Sequence, residues 1–328
     1  MCTSLTYETQ DHTFFLARTM DFGFKLEGRP VVIPRNYTWK KENGGEVTSH
    51  YGFVGTGREL EGYFFADGMN EHGLSVAELY HLNEATYHDT TEAGKINLAP
   101  YEFIMWVLGE NKSITDLRKN IAQVRLLNRK ISLLDTVPPL HYIVTDATGE
   151  SIVIETEEKE LVIKDNPVGV MTNSPKFEWH LTNLNNYLFL KPTNVSNRSI
   201  GDLQLHPFGQ GSGTYGLPGG FTSPERFVRT VYMKHLTKKA TDAEEGLNTI
   251  LKILNGVTIP VGVNVKDDGS DDYTQYRAVI DATNKIYYFN PYESNEIFGV
   301  KITEELLNGN KPQEFLPAEK PHVSFLND

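Results

Sequence analysis

The chain holds one cysteine, and it is the second residue, in MCTSLTYETQ. A lone buried thiol behaves as a small apolar side chain, and position by itself points no further. Removal of Met1, however, would give Cys2 a free α-amine. Such an amine titrates at about 7.7–8.0, so near neutrality part of it is unprotonated and can take the thiol's proton. Nucleophile and general base would then sit on one residue. That chemistry needs positive charge to favour the thiolate, a group to orient the amine, and donors for a tetrahedral oxyanion. The stretch LARTMDF offers Arg18 for the first task and Asp21 for the second. An Arg and an Asp three residues apart are commonly a surface pair, so the surrounding elements matter.

Strands must carry these groups. CTSLTYET alternates at period two, TFFLART and RPVVIP are short apolar runs between breakers, and YGFVGTG and GLSVAELY continue the pattern to about residue 80. PYEFIMWVLGE then changes to helical spacing behind a proline, and a second helix is predicted from Ser113, with Asp116 three residues on, through ITDLRKNIAQV. HYIVTDATGESIVIE reads as a hairpin turning at Asp146 to Gly149, and LVIKDNPVGVMTNSP as another. Residues 183–220 are rich in Asn, Gly and Pro and read as a long loop, of the kind that serves function or assembly. Two helices follow, SPERFVRTVYMKHL and DAEEGLNTILKILNG, and then a hairpin in DYTQYRAVIDATNKIYYFN around Ala282 to Asn284. No repeat, linker or domain boundary stands out across 1–328. The order of elements predicts one α+β domain with two sheets and segregated helices.

Composition narrows the chemistry. The net charge is −12 with no basic block, which argues against nucleic acid or an anionic membrane surface as partner. One cysteine excludes an internal disulfide framework or a CxxC zinc site, and the ten histidines lack HExxH or HxxxH spacing, so neither metal nor cofactor is expected. The N-terminus lacks a signal-peptide pattern and no apolar run is long enough to span a bilayer, which predicts a cytoplasmic location.

Several blocks, in order, resemble one family: MCTS, LARTMDF, ADGMNEHGLSVAELY, VMTNSPKFEWHLTNL, PFGQGSGTYGLPGGFTSPERFVR and the closing hairpin. From residue 2 to about 290 they are similar to the choloylglycine hydrolases, which comprise penicillin V acylases and conjugated bile salt hydrolases. The resemblance implies an N-terminal-nucleophile hydrolase with an αββα four-layer sandwich. It implies Cys2 as nucleophile, with Arg18 and Asp21 on the family's arginine and aspartate, and Asn173 of MTNSP as an oxyanion donor. It places Arg226 of SPERFVR on the later active-site arginine, with Arg229 as the competing assignment. Independently, if Ser223 caps the helix and Pro224 begins it, Arg226 is a cation in the first turn, where the helix dipole disfavours it.

Tyr80 stands where bile salt hydrolases typically carry Asn and penicillin V acylases Tyr. Its backbone N–H would be the second oxyanion donor and its ring would line the acyl pocket. This favours the penicillin V acylase branch. The expected reaction is hydrolysis of a linear amide through a thioester, on phenoxyacetyl or related acyl amides including N-acyl homoserine lactones. Two alternatives are conjugated bile salt hydrolysis and a non-enzymatic member with a blocked N-terminus. Predicted pocket residues are Met20, Phe24, Tyr63, Phe64, Ile131 and Leu133. The resemblance also implies a homotetramer, with residues 183–220 as an assembly loop.

Overall fold

The computed structural model describes all residues but 61, 132–134, 319 and 328. Two large sheets, antiparallel throughout, carry the site. The first has six strands: β1 (Cys2–Glu8), β2 (Phe14–Phe22), β15 (Val170–Met171), β18 (Tyr273–Asp281), β19 (Ile286–Pro291) and β20 (Phe298–Lys301), in the spatial order β15, β1, β2, β18, β19, β20. The second has nine: β3 (Arg29–Ile33), β6 (Phe53–Glu59), β7 (Tyr63–Phe65), β8 (Asp67–Asn70), β9 (Ser75–Tyr80), β12 (Leu140–Thr145), β13 (Ser151–Glu157), β14 (Glu160–Asp165) and β21 (Gln313–Glu314). Its order is β14, β13, β12, β9, β8, β6, β3, β21, with β7 paired to β6. Three two-stranded ribbons complete the β structure: β4 (Tyr37–Lys40) with β5 (Glu46–Ser49), β10 (Ile96–Leu98) with β11 (Val124–Leu126), and β16 (Arg198–Ile200) with β17 (Leu203–Leu205).

The strands β1 and β2 face β9 and β12 across the sandwich. Because side chains alternate along a strand, each sheet buries one face between the layers and the other under helices. Helices α1 (Phe103–Glu110) and α2 (Ile114–Asn120) cover the nine-stranded sheet, where Phe103, Trp106 and Ile114 join Tyr142 and Ile154 in one apolar cluster. On the other side α4 (Ser223–Leu236) and α5 (Ala243–Asn255) bury Phe227, Ile250 and Leu254 against Leu5, Phe15 and Val279. The layer order is αββα, as the resemblance implies. Two short helices, α3 (Phe177–Asn183) and α6 (Glu304–Leu307), lie outside these layers in sequence.

Several sequence expectations hold in detail. Ser113 caps α2 by accepting from Asp116 N at 3.2 Å, and the helix expected in DAEEGLNTILKILNG forms as α5, with Asp242 accepting from Glu245 N at 3.0 Å. Others need correction. LVIKDNPVGVMTNSP is not a hairpin: β14 belongs to the nine-stranded sheet and β15 to the six-stranded one. The intervening turn, in which Asn166 Oδ1 accepts from Gly169 N at 2.8 Å with Gly169 at φ +59°, hands the chain from one sheet to the other. FEWHLTN forms α3, and residues 183–220, expected as a loop throughout, contain the β16–β17 ribbon and two 3₁₀ turns. Thr222, not Ser223, precedes α4 as its cap residue, because the Ser223 hydroxyl is engaged elsewhere.

Candidate active site

Cys2 and Arg18 meet through strand register. In the β1–β2 ladder Cys2 lies opposite Met20 and Ser4 opposite Arg18, so Cys2, Met20 and Arg18 project from one face. Arg18 is buried and donates from Nη2 to Cys2 Sγ at 2.9 Å and from Nη1 to Ala66 O at 2.8 Å. Burial opposes its charge, but Cys2, Tyr276, Asp67 and Glu78 around it outweigh that and raise its pKa. The guanidinium is therefore a fixed cation at the sulfur.

Asp21 ends the same strand, buried, with its carboxylate accepting from Thr274 Oγ at 2.6 Å and Thr19 Oγ at 3.2 Å. A register shift between Thr274 and Tyr276 on β18 re-aims Thr274 at this carboxylate. Burial raises the Asp21 pKa, against the opposing charges of Arg226 and the chain terminus. With Met1 in place, its ammonium donates to the Asp21 backbone carbonyl at 2.7 Å and faces Asp272 at 3.5 Å.

Asn173 approaches from the loop after β15. Its Oδ1 accepts from Cys2 N at 2.9 Å and from Arg226 Nη2 at 2.7 Å, while its Nδ2 donates to Tyr80 O at 2.8 Å. The loop is held on every side. Asn173 N donates to Ser223 Oγ at 2.9 Å, the role that takes Ser223 away from capping. His141 Nε2 donates to Thr172 O at 2.8 Å, His180 Nε2 to Asn173 O at 2.9 Å, and Phe177 N to Glu155 Oε1 at 3.1 Å.

Arg226 lies buried in the first turn of α4 and donates to the Cys2 carbonyl, to Thr3 Oγ at 2.6 Å and to Asn173. Burial lowers its pKa, while Asp21 and Cys2 act the other way. Arg229 serves another end: it donates to the carbonyls of Gly256, Pro218 and Gly220, at 2.6, 2.7 and 2.8 Å, and so ties down the approach to α4.

Tyr80 terminates β9. His81 N donates to Pro139 O at 2.7 Å, so Tyr80 and its partner Leu140 form a wide pair, and the Tyr80 N–H and C=O turn away from β12, the C=O accepting from Asn173 Nδ2 at 2.8 Å. On that side the ladder with the β8 segment runs through Asp67 and Ala77 to a last bond from Glu78 N to Ala66 O at 3.0 Å. Beside this strand end lies a cavity of about 130 Å³ lined by Cys2, Met20, Phe22, Phe64, Phe65 and Tyr80.

Of the expected pocket residues, Met20, Phe64 and Ile131 line this cavity; Leu133 lies outside the described residues. Phe24 does not line it. It is exposed and packs edge-on against Phe22, which takes the inward position. Tyr63 also points elsewhere, its hydroxyl donating to Glu314 at 3.1 Å. Residues that sequence reasoning missed include Leu26, Leu60, Tyr101, Leu140 and Glu78. The parity of β9 was the available signal for Glu78, since it shares the Tyr80 face.

A family model for linear amide C–N hydrolases, the choloylglycine hydrolase family, matches residues 2–315. The chain belongs to the choloylglycine hydrolase family. It is a hydrolase of linear amide bonds. Its sequence is 36% identical to a bile salt hydrolase/transferase from Clostridium perfringens, over the full length of both chains. In structure it resembles the C2A mutant of conjugated bile acid hydrolase from the same species, with a TM-score of 0.93 at 33% identity over 100% of each chain. Penicillin V acylase from Agrobacterium tumefaciens gives a TM-score of 0.73 at 26% identity, over 95% of this chain and 90% of that one. The expectation drawn from Tyr80, of a chain nearer the acylases, is outweighed by whole-chain similarity to bile salt hydrolases.

A cluster beside the Asn173 loop has donors that a cation could use. His81, His141 and Glu155 bring ligand atoms within 4.8 Å of one another. Glu155 already accepts from Lys164 at 2.8 Å and from Phe177 N, which accounts for its carboxylate without an ion. Among the described residues no helix is long and apolar enough to cross a membrane.

Proposed function

We propose that Cys2, freed by removal of Met1, is the nucleophile that hydrolyses the amide of conjugated bile salts. The observation that carries the reading is the convergence on one residue: Arg18 on its sulfur at 2.9 Å, Asn173 on its nitrogen at 2.9 Å, and Arg226 on its carbonyl. The freed amine takes the thiol proton, and sulfur attacks the amide carbonyl to form a C–S bond. The oxyanion is met by the second Nδ2 hydrogen of Asn173, the first being on Tyr80 O, and by the Tyr80 N–H. Collapse breaks the C–N bond as the ammonium protonates the departing glycine or taurine nitrogen. Water, deprotonated by the same amine, then cleaves the thioester. Asp21 and Thr274 fix the floor beneath the amine.

The substrate class follows the relatives, whose greater identity lies with bile salt hydrolases. The second reading, penicillin V or other acyl amides, is favoured by Tyr80 and by the cavity's aromatic wall. Parallel kinetics on glycine and taurine conjugates and on penicillin V test it: faster turnover of penicillin V reverses the order. Intact mass tests the nucleophile, since a protein that retains Met1 and is fully active would refute it. We also propose a cytoplasmic homotetramer, supported by exposed Leu188, Phe208 and Tyr215 in the 183–220 excursion. Light scattering measures the assembly.

A further inference from the structure

Glu78 precedes Tyr80 by two residues on β9, so both side chains leave one face of the strand, and both line the cavity that contains Cys2. The remaining wall is mostly apolar. Its other charged residue, Arg58, is engaged, donating to Leu26 O at 3.0 Å and pairing with Glu27 at 3.0 Å. Glu78 differs. Its Oε2 is sealed from solvent and has no hydrogen-bond partner among the described residues.

The polar groups nearby are committed elsewhere. Arg18, reaching over from β2, spends its donors on Cys2 Sγ, the backbone oxygens of Ala66 and Thr19, and the Asp67 carboxylate at 3.5 Å. Asp67 on β8 accepts from Tyr276 at 2.8 Å, from Thr56 N at 3.3 Å and from Tyr287. Tyr142 on β12 donates to Pro100 O at 2.7 Å, and Tyr87 to Pro138 O at 3.0 Å. A bare carboxylate in such a place is costly, and the neutral acid is favoured. Burial, reinforced by Asp67 against the pull of Arg18, pushes the Glu78 pKa up to about 8. Near neutrality the side chain therefore carries an O–H, and Oε2 meets no acceptor among the described residues.

We propose that Glu78 is a specificity-determining residue, its carboxyl O–H donating a hydrogen bond to a hydroxyl or ether oxygen of the acyl group that fills the cavity. This rests on the amide-hydrolase reading of that cavity. A site built around a buried donor rejects an analogue that lacks the acceptor, because the donor is then left bare.

The test uses matched glycine conjugates. Phenoxyacetylglycine and 3-phenylpropanoylglycine differ by one oxygen for one methylene, and a steroid-acid conjugate is compared with and without its ring hydroxyls. Wild type should favour the oxygen-bearing member of at least one pair by roughly tenfold or more in kcat/KM. Glu78→Leu should bring that pair within about twofold, whereas Glu78→Gln, which keeps a donor, should retain the preference. Raising the pH through about 8 should erode the preference in wild type and leave it in Glu78→Gln. Absence of preference in wild type, or its survival in Glu78→Leu, overturns the assignment. If no conjugate is cleaved, the hydrolase reading fails by itself. Calorimetry of the four free acids on the Cys2→Ala protein then decides on Glu78: a Glu78-dependent preference supports it, and equal affinity or no binding overturns it.

Discussion

Replacing His81 with phenylalanine should make the protein more stable, and increasingly so in acid. His81 is 1% exposed, its ring stacks on His141 with centroids 4.2 Å apart, and neither ring nitrogen has a hydrogen bond. Glu155 lies 3.5 Å from Nε2 without forming one. A neutral imidazole must leave one N–H bare, and a buried unsatisfied group costs about 1–3 kcal/mol. Phenylalanine keeps the flat stacked ring and removes the polar atoms, so most of that cost is recovered at neutral pH. The acid limb follows from linkage. Burial, with the His141 charge adding, lowers the His81 pKa to about 3, against an ordinary value of 6.5. Between those values the unfolded chain holds a proton that the folded one lacks. Stability is present in full above pH 6.5 and is lost as the pH falls toward 3, at up to about 1.4 kcal/mol per pH unit. At about pH 5.5 the variant should therefore lead by roughly 1 kcal/mol more than at neutrality. Urea midpoints across the pH range measure both parts. A destabilised variant, or one whose lead does not grow with acid, would show that His81 has a partner and that its nitrogens are satisfied.

Other expected outcomes concern the reaction. Asn173→Ala should lower kcat by about 10²–10³, the usual cost of one oxyanion donor, measured on whichever conjugate wild type cleaves fastest. Tyr80→Phe should change kcat by no more than about twofold, because the backbone rather than the hydroxyl faces the oxyanion; a large loss would move the role to the side chain. Arg229→Leu strips the donor from three carbonyls and should cost about 1–3 kcal/mol in thermal or urea unfolding while leaving kcat per folded molecule near wild type. Arg18→Leu should instead slow thiol alkylation by iodoacetamide of the processed protein, since the cation 2.9 Å from Cys2 Sγ is gone.

Local signals in the sequence reported local structure well. Ser113 with Asp116, and Asp242 before AEEGLN, mark helix starts because a cap is made within three residues of itself. The turn after Asn166 misleads for the same reason. Its Asn and Gly fit a hairpin, and only the distant partners of β14 and β15 show that the chain changes sheet there. Ser223 is a second case: its type suits a cap, but a hydroxyl goes to the acceptor or donor that tertiary contact brings, here Asn173 N at 2.9 Å.

The site divides along the same line. Cys2 and Arg18 share adjacent strands and one face, so their meeting needs little beyond a period of two and one tight turn, whereas Asp21 has the opposite parity and turns its carboxylate to Thr19 and Thr274; Arg226 betrays itself as a cation misplaced in a helix's first turn. What the sequence cannot express is which face of a residue's surroundings is empty. Phe24 and Phe22 have the same side chain two positions apart, but only Phe22 lines the cavity, because β2 ends between them. Glu78 is the sharper instance. A glutamate between apolar neighbours on a strand is ordinarily a solvated residue, and its parity with Tyr80 points to a cavity only once the β8–β9 ladder is seen to end at the bond from Glu78 N to Ala66 O. Beyond that bond β9 runs on to Tyr80 along the cavity wall, where the Glu78 carboxyl leaves Oε2 without a partner among the described residues. The proposed specificity thus sits where the β8–β9 ladder ends, while the nucleophile, at the first residue of β1, is held by its ladder with β2 on one side and by the Asn173 side chain on its nitrogen.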